Sequence, residues 1–289
     1  NRIEDPGKWE APGGVFPMQR LLVCSPTFLP PLPEHWQDTA TSKFCERSNS
    51  LVYGGRDHYI QGLDALIAKP VLTLAQECER EGWTWTDWKG VRYSLTEEWR
   101  YVNGPAKPQQ GCTAGNRDWN NEGKTPEDLM RLINNVIRQR RTAGYGRSRP
   151  EKHASLTRDE VLALRLYSGP AYQPINAFLR QLAALSIEYR EAFATHPALS
   201  LSMTVHLLCS AVRKLAAVAA PEDTNRTLWR GVRGVLPPTF FEEDARHMVC
   251  AVDMAFMSAS KNKHTPLHYM HEGHRNVLWE LQVRPESDS

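Results

Sequence analysis

The sequence predicts an α+β fold with a helical N-terminal portion, and with helices leading and strands following in the C-terminal half. Three observations carry this expectation. Apolar residues recur at helical spacing in several stretches up to Leu215. Thr125-Pro126-Glu127-Asp128 and Thr157-Arg158-Asp159-Glu160 read as helix starts. After Pro221 the character changes to short runs, Thr227–Val232, Ala255–Ser258 and Val277–Val283, separated by polar loops. Helices first and strands afterwards suggest segregated layers.

With 289 residues, 41% of them hydrophobic and 24% charged, the chain is large enough to bury a substantial core. It has no apolar run long enough to span a bilayer as a helix. The 35 Lys and Arg against 33 Asp and Glu leave a net charge of +2, which argues against nucleic-acid binding driven by bulk charge. Cys24, Cys45, Cys78, Cys112, Cys209 and Cys250 are scattered singly with no CxxC pair, so neither a zinc ribbon nor a disulfide-stapled small domain is expected. Reduced thiols and an intracellular setting follow as the expectation. The first residue is Asn1, and the chain is expected to begin after a processed or further segment.

Residues 1 to about 50 are rich in Pro and Gly; Phe28-Leu29-Pro30-Pro31-Leu32-Pro33 cannot be helix interior, and the stretch reads as an extended arm. From Tyr59 to Arg80 the spacing of Ile60, Leu63, Leu66 and Ile67, then Leu74, Ala75 and Cys78, predicts two helices broken at Lys69-Pro70. Trp83, Trp85, Trp88, Trp99, Tyr101 and Trp119 are expected to form an aromatic minicore in a loop-rich region, with Trp83 and Trp85 alternating as in a strand. Thr125 then caps a helix with Pro126 at its first position and Glu127 and Asp128 at its positive end. Leu129, Leu132, Ile133, Val136 and Ile137 form its apolar stripe. The helix runs into Arg138, Arg140, Arg141, Arg147 and Arg149, interrupted by Gly144 and Gly146, which reads as a solvated linker. The expected domain boundary lies near residues 142–154, dividing the chain into 1–150 and 151–289.

Beyond it, Thr157 and Glu160 fit a capping box with Leu156 and Val161 as a hydrophobic staple, and helix is expected through Leu166. Ser168-Gly169-Pro170 breaks it, Pro174 opens another helix, and Leu201, Val205, Leu208, Val212 and Leu215 mark a later one.

Three pieces of this half carry candidate chemistry. Leu228-Trp229-Arg230-Gly231 is a strand with a guanidinium, the planar fork suited to a diphosphate, next to a glycine that lets backbone approach a ligand closely. In Phe256-Met257-Ser258-Ala259-Ser260, an extended backbone would point Ser258 and Ser260 to one side. Those two hydroxyls could hold a sugar, or cap a turn. The third piece is Tyr167-Ser168-Gly169 followed by Tyr172, Ile175-Asn176 and Leu179-Arg180; Asn176 and Arg180, four apart, share a helix face that offers an amide and a guanidinium to an anion, or else Asn176 is tied to backbone in a capped helix.

In that order these motifs resemble the R-S-E class of mono-ADP-ribosyltransferases, the family of arginine-modifying ectoenzymes and C3-like exoenzyme toxins. The resemblance rests on Tyr172-x-x-Ile175-Asn176-x-x-Leu179-Arg180, on Arg230-Gly231 and on Phe256-x-Ser258-x-Ser260, and covers roughly Ser155 to Ser289. It implies an ADP-ribosyltransferase-like β-sandwich core with flanking helices. It implies NAD as co-substrate, held through its phosphates by Arg230, with Gly231 against the nucleotide and Asn176 and Arg180 at the diphosphate. Ser258 would support the nicotinamide ribose and the catalytic carboxylate, and Ser260 would steady the strand end. The implied reaction releases nicotinamide and transfers ADP-ribose to a protein side chain, which requires a carboxylate near the ribosyl cation.

The family carries that carboxylate in a Glu-x-Glu or Gln-x-Glu motif after the serines, and this chain is expected to have it beyond residue 289. Glu286-Ser287-Asp288 lies too soon after Ser258, and Glu280, within a strand, is expected to be structural. Ala259 stands where the family usually has Thr. Glu242-Glu243-Asp244 reads as a helix start, and His264, His268, His271 and His274 as a polar loop rather than a metal site. The competing expectations are a catalytically inactive subunit of the same fold, docking on assembly partners through residues 1–150, and phosphate or RNA binding through Arg138–Arg149.

Overall fold

The structure, a computed structural model, describes residues 70–86, 90–106, 123–145, 154–184, 192–220, 226–233, 255–270 and 276–283. Both helices and antiparallel strands are present, in keeping with an α+β chain. In chain order the elements are α1 (Leu74–Cys78), β1 (Thr84–Thr86), β2 (Arg92–Ser94), α2 (Leu95–Asn103), α3 (Pro126–Thr142), α4 (Arg158–Ser168), α5 (Tyr172–Ala184), α6 (Ser202–Ala216), β3 (Arg226–Arg233), α7 (His264–Tyr269) and β4 (Asn276–Val283). The first helix expected between Tyr59 and Lys69 and the arm of residues 1–50 lie outside the described residues.

Local sequence sets the helix ends. Thr125 accepts from Asp128 N at 3.2 Å while the Asp128 carboxylate accepts from Thr125 N at 3.0 Å, a reciprocal cap in which Asp takes the place usual for Glu. Thr157 and Glu160 repeat the device at α4. Here Glu160 has further partners: Lys214 Nζ lies 2.8 Å away and Ser210 Oγ donates to it at 2.5 Å, tying the start of α4 to α6. Burial pushes this carboxyl up, but the Lys214 ammonium, the Ser210 hydroxyl and the cap hydrogen bond together hold it below the usual range.

Of the expected aromatic cluster, Trp83, Trp85, Trp99 and Tyr101 pack together, while Trp88 and Trp119 lie outside the described residues. Trp85 of β1 pairs with Tyr93 of β2 and stacks on it with ring centroids 5.7 Å apart. Trp83, Trp85 and Trp99 are all buried. Trp83 Nε1 donates to Ala198 O at 3.1 Å, across more than a hundred residues of sequence. Burial of such rings brings Leu162, Leu166, Ile175, Phe178 and Leu208 into the same core cluster, so that the helices on either side of the 142–154 junction share a core. A second cluster joins Leu129 and Ile137 of α3 to Leu156, Val161 and Val218. The junction is further tied by Asn134, whose amide bonds both the N–H and the carbonyl of Leu156 at 2.8 and 3.0 Å.

Three expectations change on contact with the structure. The α3 stripe is narrower than its five apolar residues suggest: Leu129 and Ile137 are buried, while Leu132 and Val136 are 44% and 50% exposed. Arg138, Arg140 and Arg141 belong to α3 rather than to a linker, and Arg140 Nη1 donates to Val218 O at 3.1 Å, while Arg147 and Arg149 lie outside the described residues. His264–Tyr269 is a short helix rather than a loop, while His271 and His274 lie outside the described residues. No helix of the described residues is long and apolar enough to cross a membrane.

β3 and β4 form an antiparallel ribbon in the register Arg226↔Val283 through Arg233↔Asn276. Side chains directly opposite in such a pair share a face. Trp229 and Gly231 therefore lie with Glu280 and Leu278, and Arg230 lies with Trp279 on the other face. Among the described residues the sheets are this ribbon and the β1–β2 hairpin, each of two strands.

Candidate functional site

Ala255–Ser258 is not a strand, and the reason defines the site. A strand needs a neighbouring backbone to satisfy its polar groups, but Phe256 finds side chains instead. Its N–H donates to Asn176 Oδ1 at 3.2 Å, and its carbonyl accepts from Tyr167 Oη at 3.0 Å and from Asn176 Nδ2 at 3.3 Å. The Phe256 ring meets Tyr167 edge-on, centroids 5.2 Å apart. The segment's backbone pairs with that of the ribbon at Ser260, where Ser260 and Trp229 exchange two backbone hydrogen bonds of 2.8 Å.

These contacts bring the sequence-predicted residues together. Asn176, 5% exposed in the second turn of α5, lies beneath Phe256. Ser258, exposed, stands 3.1 Å from Tyr167 Oη through its hydroxyl. Arg230 Nη1 donates to the Ser258 carbonyl at 2.9 Å, which holds the guanidinium beside the exposed serine. Arg180 follows Asn176 by one turn of α5, with its side chain outside the described residues.

Three of the sequence-predicted residues have partners within the protein at the groups the family resemblance assigns to ligand or strand. The Asn176 amide is engaged by Phe256 and Tyr167, so it positions the Phe256–Ser258 segment where a diphosphate contact was expected. Gly231 is approached closely, but by protein: a Cβ at this position would stand 3.0 Å from Pro266 O and 3.2 Å from Pro266 Cβ and Met270 Cγ. The missing side chain lets α7 pack on the ribbon. Ser260 Oγ accepts from Asn262 N at 3.1 Å and so caps a turn, while Asn262 Oδ1 accepts from His264 N at 2.9 Å to start α7.

Sequence reasoning misses the task of Tyr167. It sits at the end of α4 and its phenol meets Phe256, Ser258 and Asn176 at once. The signal was its place in the Tyr-Ser-Gly run, but the partners that use the hydroxyl lie up to 91 residues away.

No protein-family model, curated protein or solved structure matches this chain. What the site can do therefore rests on its own chemistry.

Cations lie on both faces of the ribbon: Arg226 shares the face of Arg230, while the Lys263 ammonium stands 4.6 Å from the Trp229 ring centroid, on the face of Glu280. Among the described residues of β3, β4 and 255–270, Glu280 is the one carboxylate. It is exposed, accepts from Gln282 Nε2 at 2.9 Å, and stands on the ribbon face opposite to Arg230. An exposed hydroxyl beside a guanidinium suits an anionic ligand that also carries hydroxyl or amide groups. Among the described residues no group of His, Cys, Asp and Glu is arranged to hold a metal ion. Glu242, Glu243, Asp244 and Glu286 lie outside the described residues.

Proposed function

We propose that this chain is a mono-ADP-ribosyltransferase that takes NAD as co-substrate, releases nicotinamide and transfers ADP-ribose to a protein side chain. The observation that supports it is the contact between Arg230 and the Ser258 carbonyl, with Asn176 beneath the same segment. Residues of three separate motifs, spread over more than fifty positions, converge as a site for a dinucleotide would need. In this reading the Arg230 fork takes the diphosphate, and Ser258 faces the nicotinamide ribose. The Arg230 charge favours an anionic dinucleotide over neutral sugars. The larger architecture in this proposal is an ADP-ribosyltransferase-like β-sandwich, of which β3 and β4 would form part.

The reaction also needs a carboxylate beside the ribose, to stabilise positive charge as nicotinamide leaves. Glu280 is a poor candidate, being on the ribbon face away from Arg230. Incubating the full chain with NAD labelled in the adenylate moiety, together with a mixture of acceptor proteins, tests the proposal. Nicotinamide release with label on protein is expected, and Ser258→Ala should lower turnover more than binding. NAD bound but unchanged would favour an inactive binding subunit, and no binding at all would end the NAD reading.

A further inference from the structure

The hydrogen-bond network around Tyr167 determines where the Ser258 proton points, and therefore which ligand groups this serine accepts. The assignment follows from groups that can act in only one sense. Phe256 N–H can only donate, so the Asn176 atom 3.2 Å from it is the carbonyl oxygen Oδ1. The other amide atom is then Nδ2, which can only donate, and it lies 3.3 Å from Tyr167 Oη. The Phe256 carbonyl can only accept, and it lies 3.0 Å from the same phenol. Two oxygens at that distance need a hydrogen between them, so the single phenolic proton goes to Phe256 O. Tyr167 Oη has already accepted from Asn176, and its remaining lone pair faces Ser258 Oγ at 3.1 Å. A hydrogen on that line can come only from the serine.

We propose that Ser258 is an acceptor-only group in the site, its proton held by Tyr167, and that the ligand group it takes is a hydrogen-bond donor such as a sugar hydroxyl, while the neighbouring Arg230 takes the ligand's anion. Tyr167 is the positioning residue that imposes this polarity. The inference draws on the proposed function only for the presence of a ligand at Ser258, and it departs from the family resemblance on one point. An acceptor-only serine cannot donate to a carboxylate, so whatever orients a catalytic carboxylate here is not the Ser258 hydroxyl. It also cannot hold a phosphate oxygen, which leaves that task to Arg230.

Calorimetric titration of the full chain tests this with ribose 5-phosphate, with its analogues bearing fluorine in place of the 2- or the 3-hydroxyl, and with NAD. Fluorine keeps the size and an acceptor's character but has no proton to give. One fluorinated probe is expected to bind roughly fivefold more weakly than the parent, the equivalent of one ordinary hydrogen bond. That difference should vanish in Ser258→Ala. In Tyr167→Phe the serine proton is released, and the fluorinated probe's disadvantage should shrink. A merely structural role for Tyr167 would weaken all the probes alike and leave the ratio unchanged, which would overturn its assigned task. Equal affinity of wild type for the parent and both fluorinated probes overturns the proposal, as does failure of every probe to bind. Discrimination among the ribose phosphates without binding of NAD would keep this inference and sink the NAD reading.

Discussion

Asn176 uses both ends of its amide on one residue, accepting from Phe256 N at 3.2 Å and donating to Phe256 O at 3.3 Å. The pairing imitates a strand neighbour and fixes the backbone that presents Ser258. Asn176→Ala would leave a partly buried N–H without its acceptor. A loss of about 2 kcal/mol is expected, as for an orphaned buried polar group. Denaturant unfolding measures it, and a loss near zero would mean that the segment finds other partners. Asn176→Asp should be no better, because its second oxygen would face the Phe256 carbonyl, two acceptors with no proton between them.

Gly231→Ala places a methyl group against backbone, since the Pro266 carbonyl lies only 3.0 Å from the added Cβ position. A carbonyl cannot swing aside as a side-chain tip can, so either α7 or the β3–β4 ribbon must shift. A destabilisation of about 1–3 kcal/mol is the expectation, in line with other overpacking changes. Thermal unfolding of the variant checks it. An unchanged midpoint would show that α7 is held loosely.

Away from the site, Glu77 is fully buried and accepts from Met203 N at 2.7 Å and from Thr204 N and Oγ1 at 2.8 Å, closing the first turn of α6. Burial is the dominant influence and raises its pKa from 4.5 to about 7, against the opposing pull of these hydrogen bonds and of the Arg80 guanidinium. The native state thus holds the proton that the unfolded chain gives up near 4.5. This group's contribution to stability is complete below that pH and is lost as pH rises through 7. The expected fall is about 3 kcal/mol between those limits. Unfolding free energies measured from pH 4.5 to 8 should carry this slope, and Glu77→Gln should flatten it. A slope unchanged in the variant would assign the effect to another group.

Much of the helical fold was legible because its determinants are local. Thr125 with Asp128, and Thr157 with Glu160, announce α3 and α4 within four residues each, and the short runs Thr227–Val232 and Val277–Val283 between polar loops mark the ribbon. What sequence did not reveal depends on distant partners. Ala255–Ser258 has strand-like residues, but Asn176 and Tyr167, some 80 to 90 positions away, take the hydrogen bonds a strand would have made. Glu77 looks like one more acidic residue on a short helix until Thr204, 127 residues on, comes to it. Leu132 and Val136 fit the apolar period of α3 and nonetheless face outward, since period reports which residues share a face and not how wide a neighbour covers it. Arg230, Ser258 and Asn176 could be singled out in the sequence, with a backbone tie as one of two readings for Asn176, but its partner Phe256 and the packing of α7 on Gly231 could not.

Equilibrium binding of NAD to the full chain and to Arg230→Lys tests the central claim most directly, because Lys keeps the charge and loses the bidentate fork. The account predicts that wild type binds NAD and that the variant binds it at least about tenfold more weakly, the scale of one charge-assisted hydrogen bond. Equal affinity in the two proteins, or none in wild type, would contradict it.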